Sequence, residues 1–299
     1  MKYESFSYSG RHALYERGYN IVEATQSSDI SAKGKECEES AAKLKTRYQF
    51  MRQHSCFTRG AKMVAQGFTV DLNKPLVFQV GHLGDAYEEW VHQPIVSKDG
   101  PRFFANGFME FLTLTPWWAI PSIWLPVVCW FASTSVNMGI PIPVLAATML
   151  VGICIWTLME YSLHRFLFHI KPSGYWSNTF HYLIHGCHHK HPMDGMRLVF
   201  PPAATAILLV PIWNLVKLLA PLIYSSALLA GGLLGYVMYD CTHYYLHHGK
   251  PLTGVSHHLK RFHMDHHFKI QDKGFGITST LWDRVFGTLP PTKTSKKSS

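Results

Sequence analysis

Between Phe111 and Met159 there is no Asp, Glu, Lys or Arg at all. So long an uncharged stretch excludes a solvated surface segment and leaves room for two bilayer-crossing helices, each needing about 20 apolar residues. The polar run Ser133–Asn137 divides it into Phe111–Ala132 and Ile140–Met159. A second stretch, Leu198–Tyr239, carries only Lys217 and divides into two more lengths of spanning size. The expected fold is therefore all-α, an integral membrane protein with four transmembrane helices. A mean hydropathy of +0.01 does not oppose this, because the polar flanks dilute the average. The prolines within or beside these stretches (116, 121, 126, 141, 143, 211 and 221) are tolerated in membrane helices when neighbours satisfy the freed backbone groups.

Cysteine pairing is also missing. The 6 cysteines (Cys37, Cys56, Cys129, Cys154, Cys187 and Cys241) form no CxxC, which argues against disulfides and for a reducing compartment. Residues 1–62 lack any apolar run of signal-peptide length and are rich in both signs of charge; they read as a disordered extension or as sequence upstream of the usual start. Residues 63–110 read as a cytosolic N-terminal segment, 111–290 as the membrane catalytic domain and 291–299 as a basic tail. That tail ends Lys296-Lys297-Ser298-Ser299, similar to a dilysine retrieval signal read in the cytosol.

What the chain has in abundance is histidine. Of 19, only His12, His54, His82 and His92 precede His164. The rest include two HxxHH triplets, His185/His188/His189 and His263/His266/His267, and the pairs His164/His169 and His243/His247. On a helix, positions i, i+3 and i+4 share a face, so each triplet converges on one locus or on adjoining ones. Vicinal residues point about 100° apart, which suits His188 and His189 to two neighbouring ions rather than one. His243 and His247 lie one turn apart. His164 and His169 lie about 140° apart on a regular helix, so they serve different ions or sit where the helix ends; Pro172, Ser173 and Gly174 place that end near Ile170. Neutral imidazole is the commonest transition-metal ligand, and these ten side chains read as a two-metal site. His181, His191, His248, His257 and His258 flank the pattern without completing it, and Cys187 and Cys241 are weaker candidates as soft ligands.

Pairing the spans brings residues 160–197 and 240–299 to one side of the membrane, so the ten histidines build one helical cap. Arg165, Lys171, Lys190, Arg197, Lys250, Lys260, Arg261, Lys269, Lys273 and Arg284 lie on that side, whereas the opposite connections carry almost no Lys or Arg. The positive-inside bias makes that side the cytosol. A net charge of +9 thus needs no nucleic acid to explain it.

Structural zinc favours closed four-coordinate sites with thiolates, and hydrolytic zinc favours fewer protein ligands with a carboxylate base. A nitrogen-rich pair of ions beside apolar helices suits oxygen activation on a lipid chain instead. Glu160, Asp194, Asp240, Asp265 and Asp272 are candidates to balance the metal charge and orient imidazoles. Asp240 stands one turn before His243, with Tyr236 and Tyr239 just below, where an acyl chain approaches from the membrane; these three are the candidate catalytic residues. A metal-conducting protein would carry histidines in its spans, and the apolar stretches hold none.

The order HxxxxH, HxxHH, HxxxH, HxxHH resembles the fatty acid hydroxylase superfamily of membrane di-metal oxygenases. The words HRFLFH, HYLIHGCHHKHPMD, YVMYDCTHYYLHH and HHFKIQDKGFGITSTLWDRVFGTL are similar to the sphingolipid fatty acid 2-hydroxylases, above all the plant dihydroceramide type, over roughly Met63–Pro290. The resemblance implies an endoplasmic reticulum membrane enzyme with cytosolic termini that hydroxylates the alpha carbon of a ceramide-bound or dihydroceramide-bound acyl chain. It implies molecular oxygen as oxidant, cytochrome b5 as electron donor and the ten histidines as metal ligands. The family is described with two zinc ions; zinc is redox-inert, so iron is expected for turnover. Relatives with a fused cytochrome b5 domain carry an HPGG haem motif, which is absent here. Electrons are then expected from a separate cytochrome b5 docking near Lys260, Arg261, Lys269 and Lys273.

Overall fold

Prolines set the starts of the long helices. The computed structural model describes residues 68–97 and 99–291, so the 1–62 extension and the dilysine ending lie outside the described residues. Helix α4 (Ala119–Asn137) follows Pro116, α5 (Ile142–Ser162) follows Pro141, α8 (Pro202–Leu219) follows Pro201, and α9 (Leu222–His248) follows Pro221. A proline at a helix start gives up no hydrogen bond, because the first turn's N–H groups have no helical partner. All four are long and apolar enough to cross a membrane, as expected, and among the described residues every regular element is helical.

Three boundaries differ from the sequence reading. The first span is Ala119–Asn137, not Phe111–Ala132. Residues Gly107–Leu112 form a separate short helix, α3, capped by the Asn106 side chain, and the chain then leaves helical geometry, with Thr115 N donating to Met196 O. The polar run Ser133–Asn137 is not a break either. Thr134 Oγ1 donates to Trp130 O and Ser135 Oγ to Ile223 O, so these hydroxyls are satisfied inside a helix that continues to Asn137. The last span also runs past Tyr239, carrying the same helix up to His248.

Helix α9 is the centre of the bundle and packs on α5 and α4. More than half of its span (56%) is buried, against 6% for α5 and α8, whose outer faces are left to lipid. The α5–α9 crossing is set by glycine. A Cβ on Gly231 would lie 2.0 Å from Met149 O, and one on Gly152 would lie 2.3 Å from Leu228 O. Small residues at such a crossing let membrane helices approach closely. Ile120, Trp124, Val128 and Phe131 of α4 close the core against Leu229, Ala230, Leu233 and Tyr236.

A second core lies in the cap. Helices α1 (Val77–Val80) and α2 (Tyr87–Val91), joined by a 3₁₀ turn, bury Leu76, Val80, Leu83, Tyr87 and Trp90 against Phe103, Tyr182 and Cys187. The remaining cap elements are α6 (Tyr175–His181), α7 (Cys187–Lys190), α10 (Gly254–Phe268) and α11 (Leu281–Val285). A reciprocal Thr253–Ser256 cap starts α10.

Candidate metal centre

The ten patterned histidines come together as two groups of five. One holds His164, His169, His185, His189 and His266; the other holds His188, His243, His247, His263 and His267. Within each group one nitrogen from every ring lies within 4.8 Å of all the others. The groups share a wall, with the ring centroids of His189 in the first and His267 in the second 4.4 Å apart.

Local helix geometry explains the partition. In both HxxHH triplets the vicinal rings diverge as expected, His188 from His189 and His266 from His267, one to each group. The triplets are therefore shared between the groups rather than each serving one. His164 and His169 join the same group, which resolves the two alternatives in favour of a helix end. The chain from Leu163 to Phe168 is π-helical, and His169 stands at its C-terminal cap. A π-turn closes i→i+5 hydrogen bonds, so residues five apart, which diverge on an α-helix, stack on one face. A second π-turn, Tyr182–Gly186, carries His185.

The donor set fits metal. In the first group His189 Nε2 lies 3.0 Å from His185 Nε2 and 3.2 Å from His169 Nε2. In the second His263 Nε2 lies 3.0 Å from His243 Nε2 and 2.7 Å from His247 Nε2. Nitrogens about 2.0–2.1 Å from a shared ion lie roughly 3 Å from one another. Further ring nitrogens, among them His164 Nε2, His188 Nε2, His266 Nε2 and both of His267, are buried with no hydrogen-bond partner among the described residues. A buried polar atom left so is costly, and a cation at each centre would satisfy it. Burial first, and then neighbouring histidines, pushes His185, His188, His189 and His267 well below the usual histidine range, so these rings are neutral with lone pairs free to bind.

The flanking residues fall outside this arrangement. His181 uses both nitrogens: Nε2 donates to Phe168 O and Nδ1 accepts from Tyr87 Oη, each at 2.7 Å. His191 is buried apart from both groups, His248 stacks on Tyr244, and His257 and His258 are exposed. Cys187 packs in the cap core, where burial pushes its thiol up to about 12, so it offers no thiolate. Cys241 is in neither group.

The acids correct an expectation, since the contacts found for them go elsewhere than to an imidazole. Glu160 accepts from Thr278 N (3.0 Å) and Thr278 Oγ1 (2.5 Å); Asp194 accepts from Met196 N and pairs with Arg197; Asp265 pairs with Lys269; Asp272 is exposed. Asp240 holds its oxygens 3.3 and 3.4 Å from Phe200 N. Backbone carbonyls take the orienting role instead: His164 Nδ1 donates to Phe275 O at 2.6 Å and His266 Nδ1 to Lys273 O at 2.8 Å. Spacing gives no sign of such partners, because a carbonyl belongs to every residue. Sequence reasoning also missed His92, whose ring lies 5.2 Å from that of His189 and 6.2 Å from that of His169, and whose Nδ1 donates to Glu88 O. Lys190 clips this segment to the cap by donating to Trp90 O and Gln93 O.

Tyr236 and Tyr239 lie along α9 below the second group. Both rings pack against Trp156, at 5.4 and 6.1 Å, and Tyr239 lies 5.7 Å from His243. Tyr236 Oη contacts Thr205 Oγ1 and donates to Phe200 O.

Four apolar helices of spanning length beneath a cap with two five-histidine groups define an all-helical membrane protein equipped to bind metal. The chain belongs to the fatty acid hydroxylase family, whose model matches residues 149–288. It is 66% identical over 235 residues to the dihydroceramide fatty acyl 2-hydroxylase FAH1 of Arabidopsis thaliana, covering 79% of this chain and 99% of that protein. It is 41% identical to the fatty acid 2-hydroxylase of Homo sapiens, covering 75% of this chain and 65% of that one. A solved structure described as full-length scs7p, with only the hydroxylase domain visible, superposes with a TM-score of 0.71 at 41% identity, over 75% of this chain and 87% of that one.

Proposed function

We propose that this protein is a sphingolipid fatty acyl 2-hydroxylase that places a hydroxyl on the alpha carbon of a ceramide or dihydroceramide acyl chain. The observation that carries the reading is the pair of five-histidine groups at the ends of two apolar helices, α5 and α9, in a chain 66% identical to a protein named for that reaction. His164, His169, His185, His189 and His266 hold one ion, and His188, His243, His247, His263 and His267 the other. When bound, two redox-active ions such as iron would supply the oxygen chemistry that breaks the C–H bond at the alpha carbon. The overall balance is one C–H bond and O2, with two electrons and two protons, giving one C–OH and one water. The electrons come from a separate cytochrome b5.

The protein's own residues position the substrate and keep water out. Trp156, Tyr236 and Tyr239 form an aromatic wall between the membrane interior and the second histidine group, and the acyl chain lies along it. Asp240 and Tyr236 fix that wall by binding the N–H and the carbonyl of Phe200. The lysines and arginines on the cap side favour a cytosolic cap in the endoplasmic reticulum membrane. Lipid analysis of cells lacking this chain tests the reading: 2-hydroxy ceramides fall and non-hydroxylated ceramides rise. Unchanged 2-hydroxy ceramides, or a loss of unsaturated species instead, would overturn it.

A further inference from the structure

Through the ring of Phe275, the segment from Lys273 to Thr288 lies against His164, His169 and His266 of the first histidine group. Its two carbonyls that meet imidazoles, Phe275 O and Lys273 O, take Nδ1–H from His164 and His266, both in the first group. A carbonyl can only accept, so each ring carries its proton on Nδ1 and turns the lone pair of Nε2 inward. Both Nε2 atoms are buried without another partner. Nδ1 of His263 and Nδ1 of His267 in the second group meet no hydrogen-bond partner among the described residues, and neither does Nδ1 of His189 in the first.

The loop bearing these carbonyls is held from behind. Asp283, 1% exposed, accepts from Phe275 N at 3.0 Å, from Gly276 N at 2.9 Å and from Thr288 Oγ1 at 2.7 Å. Thr288 in turn meets Tyr161 Oη of α5 at 2.9 Å. Glu160, beside it on α5, takes both the amide and the hydroxyl of Thr278. The turn enters through Gly274 at φ 76° and is packed tightly at Gly276, where a Cβ would lie 2.2 Å from Ser279 O and 2.8 Å from Asp283 Oδ2.

We infer that Asp283 is a positioning residue for one ion only: by fixing the 273–278 loop it sets the proton and the angle of His164 and His266, so the two metal sites differ in how firmly they hold their ions. This rests on the two-metal reading above. Hydrogen-bond partners of ligating imidazoles typically change metal affinity by about 10–100-fold. Asp283 touches no metal and no substrate, and its effect is transmitted through two amides and two carbonyls.

The test uses the full chain purified in detergent, with metal counted by elemental analysis before and during challenge with a chelator. Asp283→Asn turns an acceptor into a donor facing Gly276 N, while Gly276→Ala presses on the same brace from the other side. Each variant is expected to lose one of two ions about 10–100-fold more readily than the unaltered protein, and to keep the other at the unaltered rate. Glu160→Gln still bonds Thr278 through its amide and shows a smaller change. Two ions released at the unaltered rate from both variants overturns the inference, as does equal loss of both ions. A count below two in the unaltered protein overturns the two-metal reading itself, which separates the two failures.

Discussion

His188 and His189 are neighbours in the chain and belong to different histidine groups, so a single substitution reports on one group at a time. His188→Ala and His267→Ala each remove a ring from the second group, whose nitrogens already crowd to about 3 Å without other partners. Both variants are expected to lose metal and hydroxylation together by elemental analysis and product assay, while His258→Ala, at an exposed position, changes little. Full metal content in both would show that the assignment is wrong. Asp240→Ala is expected to keep both ions and to lose activity by about 10-fold or more, because the aromatic wall that positions the acyl chain loses its acceptor for Phe200 N. Unchanged turnover with normal metal content would remove Asp240 from the mechanism. The neutral histidines also set a pH dependence. His185, His189, His263 and His266 all sit well below the ordinary value of 6.5, chiefly through burial. Below 6.5 an unfolded chain takes up protons that the folded, metal-free protein refuses. The stabilisation is thus full above that value and is lost as pH falls. Metal-stripped protein is expected to melt at steadily lower temperature from neutrality to about pH 5, more steeply than loaded protein, and a flat profile would falsify this assignment of neutral rings.

At the scale of elements, two features place the site. The first is the close crossing of α5 on α9, which fixes His164 at the end of one helix relative to His243 and His247 at the end of the other. Gly231→Ala puts a methyl group 2.0 Å from a backbone carbonyl that has no way to swing aside. The helices must separate, at a cost of about 1–3 kcal/mol for overpacking. The expected outcome is a lower melting temperature in detergent together with weaker metal retention; a variant as stable and as metal-rich as the unaltered chain would show that the crossing is loose. The second feature is the pair of π-turns, which rotate His169 and His185 into register with rings from elsewhere.

For the whole molecule, the proposed reaction needs electrons delivered to buried histidine groups. The expected basic face needs one revision: the Lys260 ammonium donates to Gly249 O at 2.8 Å and faces inward, and Lys273 is half-buried, which leaves Arg261 and Lys269 as its exposed charges. Lys269 also pairs with Asp265. Complementary charge speeds encounter with an acidic donor and is screened beyond about 8 Å at physiological ionic strength. Purified protein with substrate and oxygen alone is expected to be silent. Adding cytochrome b5 with its reductase restores hydroxylation, and the rate falls as salt rises. Salt-independent rates would place the docking face elsewhere.

Sequence alone determined the number of spans, because a charge-free run of such length has no stable place but lipid, and it determined the ten histidines, because helical spacing is legible residue by residue. It also separated His188 from His189, since a 100° turn per residue is fixed by backbone geometry. Tertiary structure decided the rest. Which five rings share a centre depends on π-turns whose hydrogen bonds are not written in side-chain type, so His164 and His169 stayed ambiguous until the chain was folded. The partners of the imidazoles turned out to be carbonyls at Phe275 and Lys273, not the acids nearby in sequence. Lys273 lies only seven residues from His266, but Phe275 reaches His164 across 111 residues, and only packing brings that carbonyl, its Asp283 brace and His92 to the histidine groups.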